Sequence, residues 1–463
     1  MVDGSLETLK RLAFDEPRRA AFQCNWGEVS YGLLYDEVVR RAKHFTREGV
    51  RPCDRASVRV SNRPDDLVSL LALRWHEVPA LLIDRSATDV ECERAERLFA
   101  PTLHLDGARL TRVGDGDIRV ESGPSICLVT SGVTGRPKLV DVDWDLLEGT
   151  AHRFSVHYGL CPRDVVLCTT PISHSYGLCV GVVGPLCCGA TIALMERRST
   201  AGGLAAAIRQ HRASIVQSVP FYYRLLAAAP NVDLSPVRLC LSAGEAPSVA
   251  LMRHWFERSY PLLCNHYGAT EVGQISVELD GIEGSVGRPI AGCEVDVRKP
   301  EPSRSAIDAD SCDDGEIWAR AAGKPSRYVG IMSEQDPSRN NGWFRTGDIG
   351  RLDASGRLRI TGRVVNRINV GGRKVDPREI EEVIRLFPGV TDCAVVGRQS
   401  EEAGEEVHAY VQGDVSRNED LLRFLRERLS EFKLPRVVRR VEQIPRTISG
   451  KIRYGVLDDA SVR

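Results

Sequence analysis

Residues Ile126–Val142 read ICLVTSGVTGRPKLVDV. Ile126, Leu128 and Val129 form an apolar run of strand character. Thr130, Ser131, Gly132, Thr134 and Gly135 then gather small and hydroxyl-bearing residues into a loop, with Pro137 and Lys138 at its exit. Glycines let backbone N–H groups approach an anion closely, hydroxyls donate hydrogen bonds, and Lys138 adds a point charge. That combination fits the β- and γ-phosphates of a nucleotide. Leu139 to Trp144 continue in rough alternation, so the element is predicted to be strand, loop, strand. It is not the helix-opening G-x-x-x-x-G-K-[ST] phosphate loop. A bare cluster of Gly, Ser and Thr would be a polar hairpin turn, but the ordering T-S-G-x-T-G-x-P-K is far more specific.

The ordering resembles the adenylate-forming superfamily of acyl-CoA synthetases, peptide-synthetase adenylation domains and luciferases, whose loop reads T-S-G-T-T-G-x-P-K-G. Val133 stands where that family carries a hydroxyl residue, and Leu139 where it carries glycine. A second string, Y-G-A-T-E from Tyr267, matches the family's Y-G-x-T-E, and a third, P-R-T-I-S-G-K ending at Lys451, matches P-R-T-x-S-G-K. The three occur in the family's order and span most of the chain.

The totals are compatible with such an enzyme. A chain of 463 residues needs two or three folding units. Net charge is −1 with both signs interspersed, which gives no electrostatic footprint for nucleic acid or an anionic membrane. The fourteen cysteines form no C-x-x-C pair, and many lie among apolar residues. They read as reduced core residues, which suits a cytoplasmic protein and argues against structural zinc or a disulfide framework. Tyr176 to Leu194 is uncharged and mostly apolar, but four glycines and Pro185 interrupt it. A buried helix turning into a strand is expected there rather than a membrane span.

Along the chain, Ser30 is a predicted N-cap for a helix with Tyr31, Leu34, Val38 and Val39 on its apolar face. Ala56–Val60 reads as a strand, Pro64–Trp75 as a helix and Ala80–Ile83 as a strand. Strands alternating with helices imply a parallel or mixed sheet covered on both faces. The strand and turn ending in Ser242, Ala243, Gly244, Glu245 and Ala246 offer small residues at a sheet edge, where a flat heterocycle can lie. Tyr267 can stack on such a ring, Thr270 can donate to a phosphate, and Glu271 can hold Mg²⁺. From Gly284 short strands and turns predominate, which suggests a small antiparallel barrel, interrupted by a polar exposed loop at Lys299–Asp314. After Arg363 the composition shifts. Asp376, Pro377 and Glu379 open a helix whose face is Ile380, Val383, Ile384 and Phe387. Strands at Cys393–Val396 and Val407–Val411 and a helix at Glu419–Leu429 complete a second unit.

The resemblance then implies an α/β fold with a large N-terminal domain (1–363) of mixed sheets, flanking helices and a small β-barrel, plus a small mobile C-terminal α+β domain (364–463). It places adenine against Gly244, Glu245, Ala246 and Tyr267, gives His266 to the ATP site, sets ribose against Asp348, and has Arg363 reach the ribose or phosphate side. Pyrophosphate falls to the 130–138 loop, Mg²⁺ to Glu271, and the acid to His174, Ser175 and Gly268. Lys451 with Thr270 acts at the α-phosphate, and Gly371 and Gly372 border a pantetheine channel.

The implied reaction joins a small carboxylic acid to the AMP part of ATP, releasing pyrophosphate, and then passes it, releasing AMP, to the thiol of CoA or of a phosphopantetheine on a separate acyl-carrier protein. Ser175 occupies the place of the aspartate that pairs with the substrate ammonium in amino-acid-activating relatives. A buried ammonium without a carboxylate is costly, so an aryl or acyl acid lacking an α-amino group is expected. Two alternatives stay open: an amino-acid adenylation enzyme loading a carrier protein, and a catalytically weak nucleotide-binding relative supported by Val133, Leu139 and Val365. Oligomeric state is not legible in the sequence.

Overall fold

Strand-forming runs at Ala56–Val60, Ala80–Asp84 and Ser125–Ser131 lie side by side and parallel, each buried residue facing helices on one side or the other. They belong to a seven-stranded sheet completed by Leu103–Asp106, Arg109–Arg112, Pro137–Asp143 and Arg327–Tyr328. A nine-stranded sheet holds a parallel centre of Val165–Cys168, Thr191–Leu194, Ile215–Ser218 and Leu239–Ser242, with antiparallel pairs at both edges. The structure is a computed structural model. It describes residues 4–24, 27–114, 123–131, 137–195, 200–299, 314–330, 339–363, 368–370, 373–375, 377–400, 404–414, 417–429, 431–446, 452, 454 and 457.

The chain divides into two compact units. One comprises Met1–Pro247, Leu251–Val295 and Ala319–Phe344, and the other Ser248–Ala250, Asp296–Trp318 and Arg345–Arg463. The expected boundary residues Val364 and Val365 lie outside the described residues, as does most of the expected loop, 300–313.

In the first unit the helix Tyr31–Arg47 forms as its pattern dictates. The Ser30 hydroxyl accepts from the Leu33 N–H, and Tyr31, Leu34, Val38, Ala42 and Phe45 are buried along one face. Val39, expected on that face, is half-buried at its flank. Trp144, expected in the second strand of the phosphate-loop hairpin, instead opens the helix Trp144–His157. Asp143 ends the strand because its carboxylate accepts from the Asp145 N–H and caps the helix. The apolar segment after His174 is the expected buried helix and strand, broken by a π-turn at Cys179–Val183. No helix among the described residues is long and apolar enough to cross a membrane. None of the thirteen described cysteines is joined in a disulfide, and burial pushes thiols such as Cys168 up, to about 12.

Asp164 anchors the start of the strand Val165–Cys168. Burial alone would raise its carboxyl, but Arg238, the Cys161 N–H and Ser214 all donate to it and hold it down at about 2. A carboxyl depressed on folding stabilises fully above its unfolded pKa of 3.8, and that stability is lost as pH falls toward the folded value. The shift corresponds to roughly 2 kcal/mol. Asp164→Asn is therefore expected to be less stable than the natural chain by about that amount in urea at neutral pH, with the gap narrowing on acidification to about pH 2. A gap independent of pH would contradict this.

The short strands after Gly284 give a five-stranded sheet: Cys293–Arg298, Gly315–Ala321, Trp343–Leu352 and Arg339–Asn340 in order, with Leu358–Arg363 paired to Trp343–Leu352. In the second unit, Val390–Ser400 and Gly404–Gly413 form a long antiparallel pair that contains both expected strands. Alternation divides their side chains. Cys393, Val395, Val407, Ala409 and Val411 pack with Ile380, Ile384, Leu421 and Leu425, whereas Ala394, Val396 and Tyr410 pack with Val441, Ile444 and Leu457. The sheet is thus buried on both faces, by the helices Pro377–Arg385 and Asn418–Arg426 on one and by the C-terminal segment on the other.

Candidate active site

Parallel sheets gather ligands at the carboxyl ends of their strands, and here the two sheets of the first unit meet at such ends. Asn62 follows Ala56–Val60; it donates to the Thr170 carbonyl and accepts from the Ile172 N–H. Asp84 ends the neighbouring strand and accepts from the Ser173 hydroxyl at 3.0 Å. These bonds fix the turn that delivers His174 and Ser175, both half-buried, at the start of the short helix Ser175–Leu178. Tyr176 then donates to the Leu241 carbonyl at 2.8 Å, tying that helix to the strand Leu239–Ser242. Beyond Ser242, Gly244 takes a φ of +94°, a conformation that favours glycine, and Glu245 stands 3.5 Å from Arg224.

The hairpin Ser125–Ser131 and Pro137–Asp143 pairs Thr130 with Lys138, and the Thr130 hydroxyl donates to the Lys138 carbonyl. Gly132, Thr134 and Gly135 lie outside the described residues, as does the Ser131 side chain. Leu139 is buried against Leu81, Ile83 and Cys127, so a side chain at that position is accommodated by the core. The strand Arg327–Tyr328 lies along the hairpin's other edge, with Arg327 bonded to Asp141 at 2.9 Å.

Tyr328 connects the hairpin to the Thr270–Glu271 turn. The Lys138 ammonium sits 4.6 Å from the centre of its ring, and its hydroxyl donates to Glu271 Oε1 at 2.7 Å. Two residues earlier, Ser326 donates to the Glu271 backbone carbonyl at 2.6 Å. Lys138 and Glu271 thereby meet one aromatic side chain, at its ring and at its hydroxyl, although 133 positions of sequence separate them.

The descriptions "AMP-binding enzyme" and "AMP-binding enzyme C-terminal domain" match residues 118–329 and 379–451. An indoleacetate–CoA ligase of Aromatoleum aromaticum is 31% identical over 96% of both chains. The chain belongs to the AMP-binding enzyme family. A feruloyl-CoA synthase of an Amycolatopsis species is 29% identical, again over 96% of each chain. The fold also matches an o-succinylbenzoate CoA synthetase of Bacillus subtilis solved with its acyl-adenylate, at a TM-score of 0.85 and 24% identity, covering 98% of each chain.

The remaining expected residues of this AMP-binding enzyme belong to both units. Tyr267, Thr270 and Glu271 are half-buried at the end of the strand Leu262–Ala269, and Gly268 is exposed. His266 is buried. In the second unit Asp348, which is also buried, pairs in register with Arg363, whose side chain lies outside the described residues. Gly371, Gly372 and Lys451 lie outside them too. Sequence reasoning missed Tyr328 and Ser326. A two-residue strand carries no periodicity, and Pro325, Ser326 and Gly330 around it read as a turn.

Proposed function

We propose that this chain is an AMP-forming ligase for an aryl or acyl carboxylic acid without an α-amino group, with coenzyme A as thiol acceptor. The observation that carries it is the Lys138–Tyr328–Glu271 linkage, which holds a phosphate-binding cation and a metal-binding carboxylate at fixed separation. Relatives named for feruloyl, indoleacetate and 2-succinylbenzoate thioesters support an acid bearing a ring. The uncharged Ser175 supports the absence of an ammonium. Asp84, the carboxylate nearby in the chain's folding, has both oxygens engaged by Ser86 and Ser173.

The residues fit a magnesium ion. Glu271 Oε1 is taken by Tyr328, leaving Oε2, and no group of three or more His, Cys, Asp or Glu among the described residues could hold a metal by itself. A single carboxylate supplemented by water and substrate phosphates suits magnesium. When bound, the ion would neutralise charge on the phosphates.

In the first half-reaction a carboxylate oxygen forms a bond to the α-phosphorus of ATP while the bond to pyrophosphate breaks. Thr130, Lys138 and the glycine loop orient the departing pyrophosphate, and Thr270 and Lys451 bear on the α-phosphate. Positioning and charge neutralisation supply the acceleration. In the second, the thiol sulfur bonds to the acyl carbon, AMP leaves and the thiol proton is released. Acid-dependent exchange of pyrophosphate into ATP tests the reading. Aromatic and aliphatic acids are expected to support exchange and α-amino acids are not, with mass measurement showing a CoA thioester. Faster exchange with an amino acid than with its deaminated analogue would overturn the substrate class.

A further inference from the structure

Arg327–Tyr328 is shorter than ordinary strands, yet it carries the side chain that joins Lys138 to Glu271. Its backbone hold on the phosphate hairpin is small. Arg327 pairs with Asp141, Tyr328 pairs with Val140, and the Val329 N–H donates to the Leu139 carbonyl at 2.9 Å. Side chains add to it. Arg327 Nε donates to Asp141 Oδ2 at 2.9 Å, and Lys324 Nζ donates to Asp143 Oδ2 at 3.3 Å. Asp141 and Asp143 alternate along one strand and so share a face of the sheet, and the segment 324–328 lays a cation on each.

These two rungs are unequal. Lys324 is 58% exposed, so solvent screens its pair with Asp143, whose Oδ1 already caps the helix Trp144–His157. Asp141 is buried, at 8% exposed, and its Oδ1 has no hydrogen-bond partner among the described residues. Arg55 is also close to it: burial lowers that guanidinium from its ordinary value, and the Asp141 carboxylate is among the groups that oppose the shift. A buried carboxylate depends on the cations that reach it, and Arg327 is the one that donates to it. The Arg327–Asp141 rung therefore supplies most of the side-chain hold between strand and hairpin.

We propose that Arg327 is a positioning residue for ATP, whose bond to Asp141 locks the strand Arg327–Tyr328 onto the phosphate hairpin and so keeps Lys138 in register with Glu271. This rests on the roles proposed for Lys138 at the phosphates and Glu271 at the metal. Without the lock the hairpin populates arrangements in which Tyr328 no longer meets both residues. Mg·ATP must then select the aligned arrangement, which raises its apparent KM by the reciprocal of the aligned fraction. Saturating nucleotide restores that arrangement, so kcat is largely spared.

Arg327→Gln is expected to raise KM for Mg·ATP in pyrophosphate exchange about tenfold, the scale of one charge-assisted hydrogen bond, with kcat within about twofold of the natural chain. Arg55 still faces Asp141 in this variant, so the chain should fold; Arg327→Met, which keeps an apolar stem, takes its place if it does not. Arg327→Lys, which keeps the charge, should recover part of the affinity. Arg327→Gln combined with Asp141→Asn should be no worse in KM than Asp141→Asn alone, since both remove the same bond. Amide hydrogen exchange followed by mass spectrometry without nucleotide should quicken in peptides covering 137–143 and 324–330 and not elsewhere. An unchanged KM, a fall in kcat alone, additive losses in the cycle, or unaltered amide exchange in those peptides overturns the lock and leaves the ligase reading standing. Absence of pyrophosphate exchange with every acid in the natural chain overturns the ligase reading and, with it, the role of Arg327 toward ATP.

Discussion

Lys451→Ala is expected to slow adenylate formation by about 10²–10³, the scale of losing one preorganised contact to charge that develops in the transition state. Lys451 lies outside the described residues, whereas Arg446, Ile452 and Tyr454 near it are described. Arg446 and Ile452 form a bridge across the segment, and Arg446 donates twice to Asp392, at 2.7 and 3.0 Å. Ile452 packs against the cluster of Ala394, Val396, Tyr410, Val441, Ile444 and Leu457. Tyr454 reaches Glu381 Oε1. The proposed role of Lys451 at the α-phosphate makes its loss that of a contact to charge developing in the transition state. Pyrophosphate exchange reads the first half-reaction. Thioester formation from premade acyl-adenylate reads the second, where no pyrophosphate departs, and should suffer less. Equal losses in both would count against placing Lys451 at the α-phosphate.

The elements that sequence rendered well are those whose burial repeats with a period. Tyr31, Leu34 and Val38 recur at helical spacing and are buried together, and Ile380 and Ile384 do the same in the second unit. The phosphate-loop hairpin was legible because Leu139 to Val142 alternate, while its end was misplaced by one residue because Asp143 caps a helix instead of continuing a strand. What stayed hidden was contact between distant segments. Asn62 reaching Thr170 and Tyr328 reaching Glu271 join stretches 108 and 57 positions apart, and neither end of such a bond alters the local pattern. The π-turn at Cys179–Val183 lies in a uniformly apolar run, where helical and strand periods are equally satisfied. His266 was legible as a neighbour of Tyr267, but its burial against Phe154 and Tyr176 arises only on folding.

Glu271→Gln is expected to reduce exchange by about 10², because an amide keeps the shape of the side chain but loses the charge that a hard cation prefers. The magnesium role proposed for Glu271 makes Tyr328 a positioning residue, so Tyr328→Phe should cost about tenfold and raise the magnesium concentration needed for half-maximal rate, in keeping with loss of one charge-assisted hydrogen bond. Phenylalanine retains the ring beneath Lys138, leaving the cation–π contact in place. Tyr328→Leu removes both features and should also raise KM for ATP. If the hydroxyl works only by orienting Glu271, the double variant Tyr328→Phe, Glu271→Gln should be no slower than Glu271→Gln alone, since contacts in one network are not additive. Additive losses in that cycle, or an unaltered magnesium requirement in Tyr328→Phe, would instead make Tyr328 a packing residue with no hold on the metal-binding carboxylate.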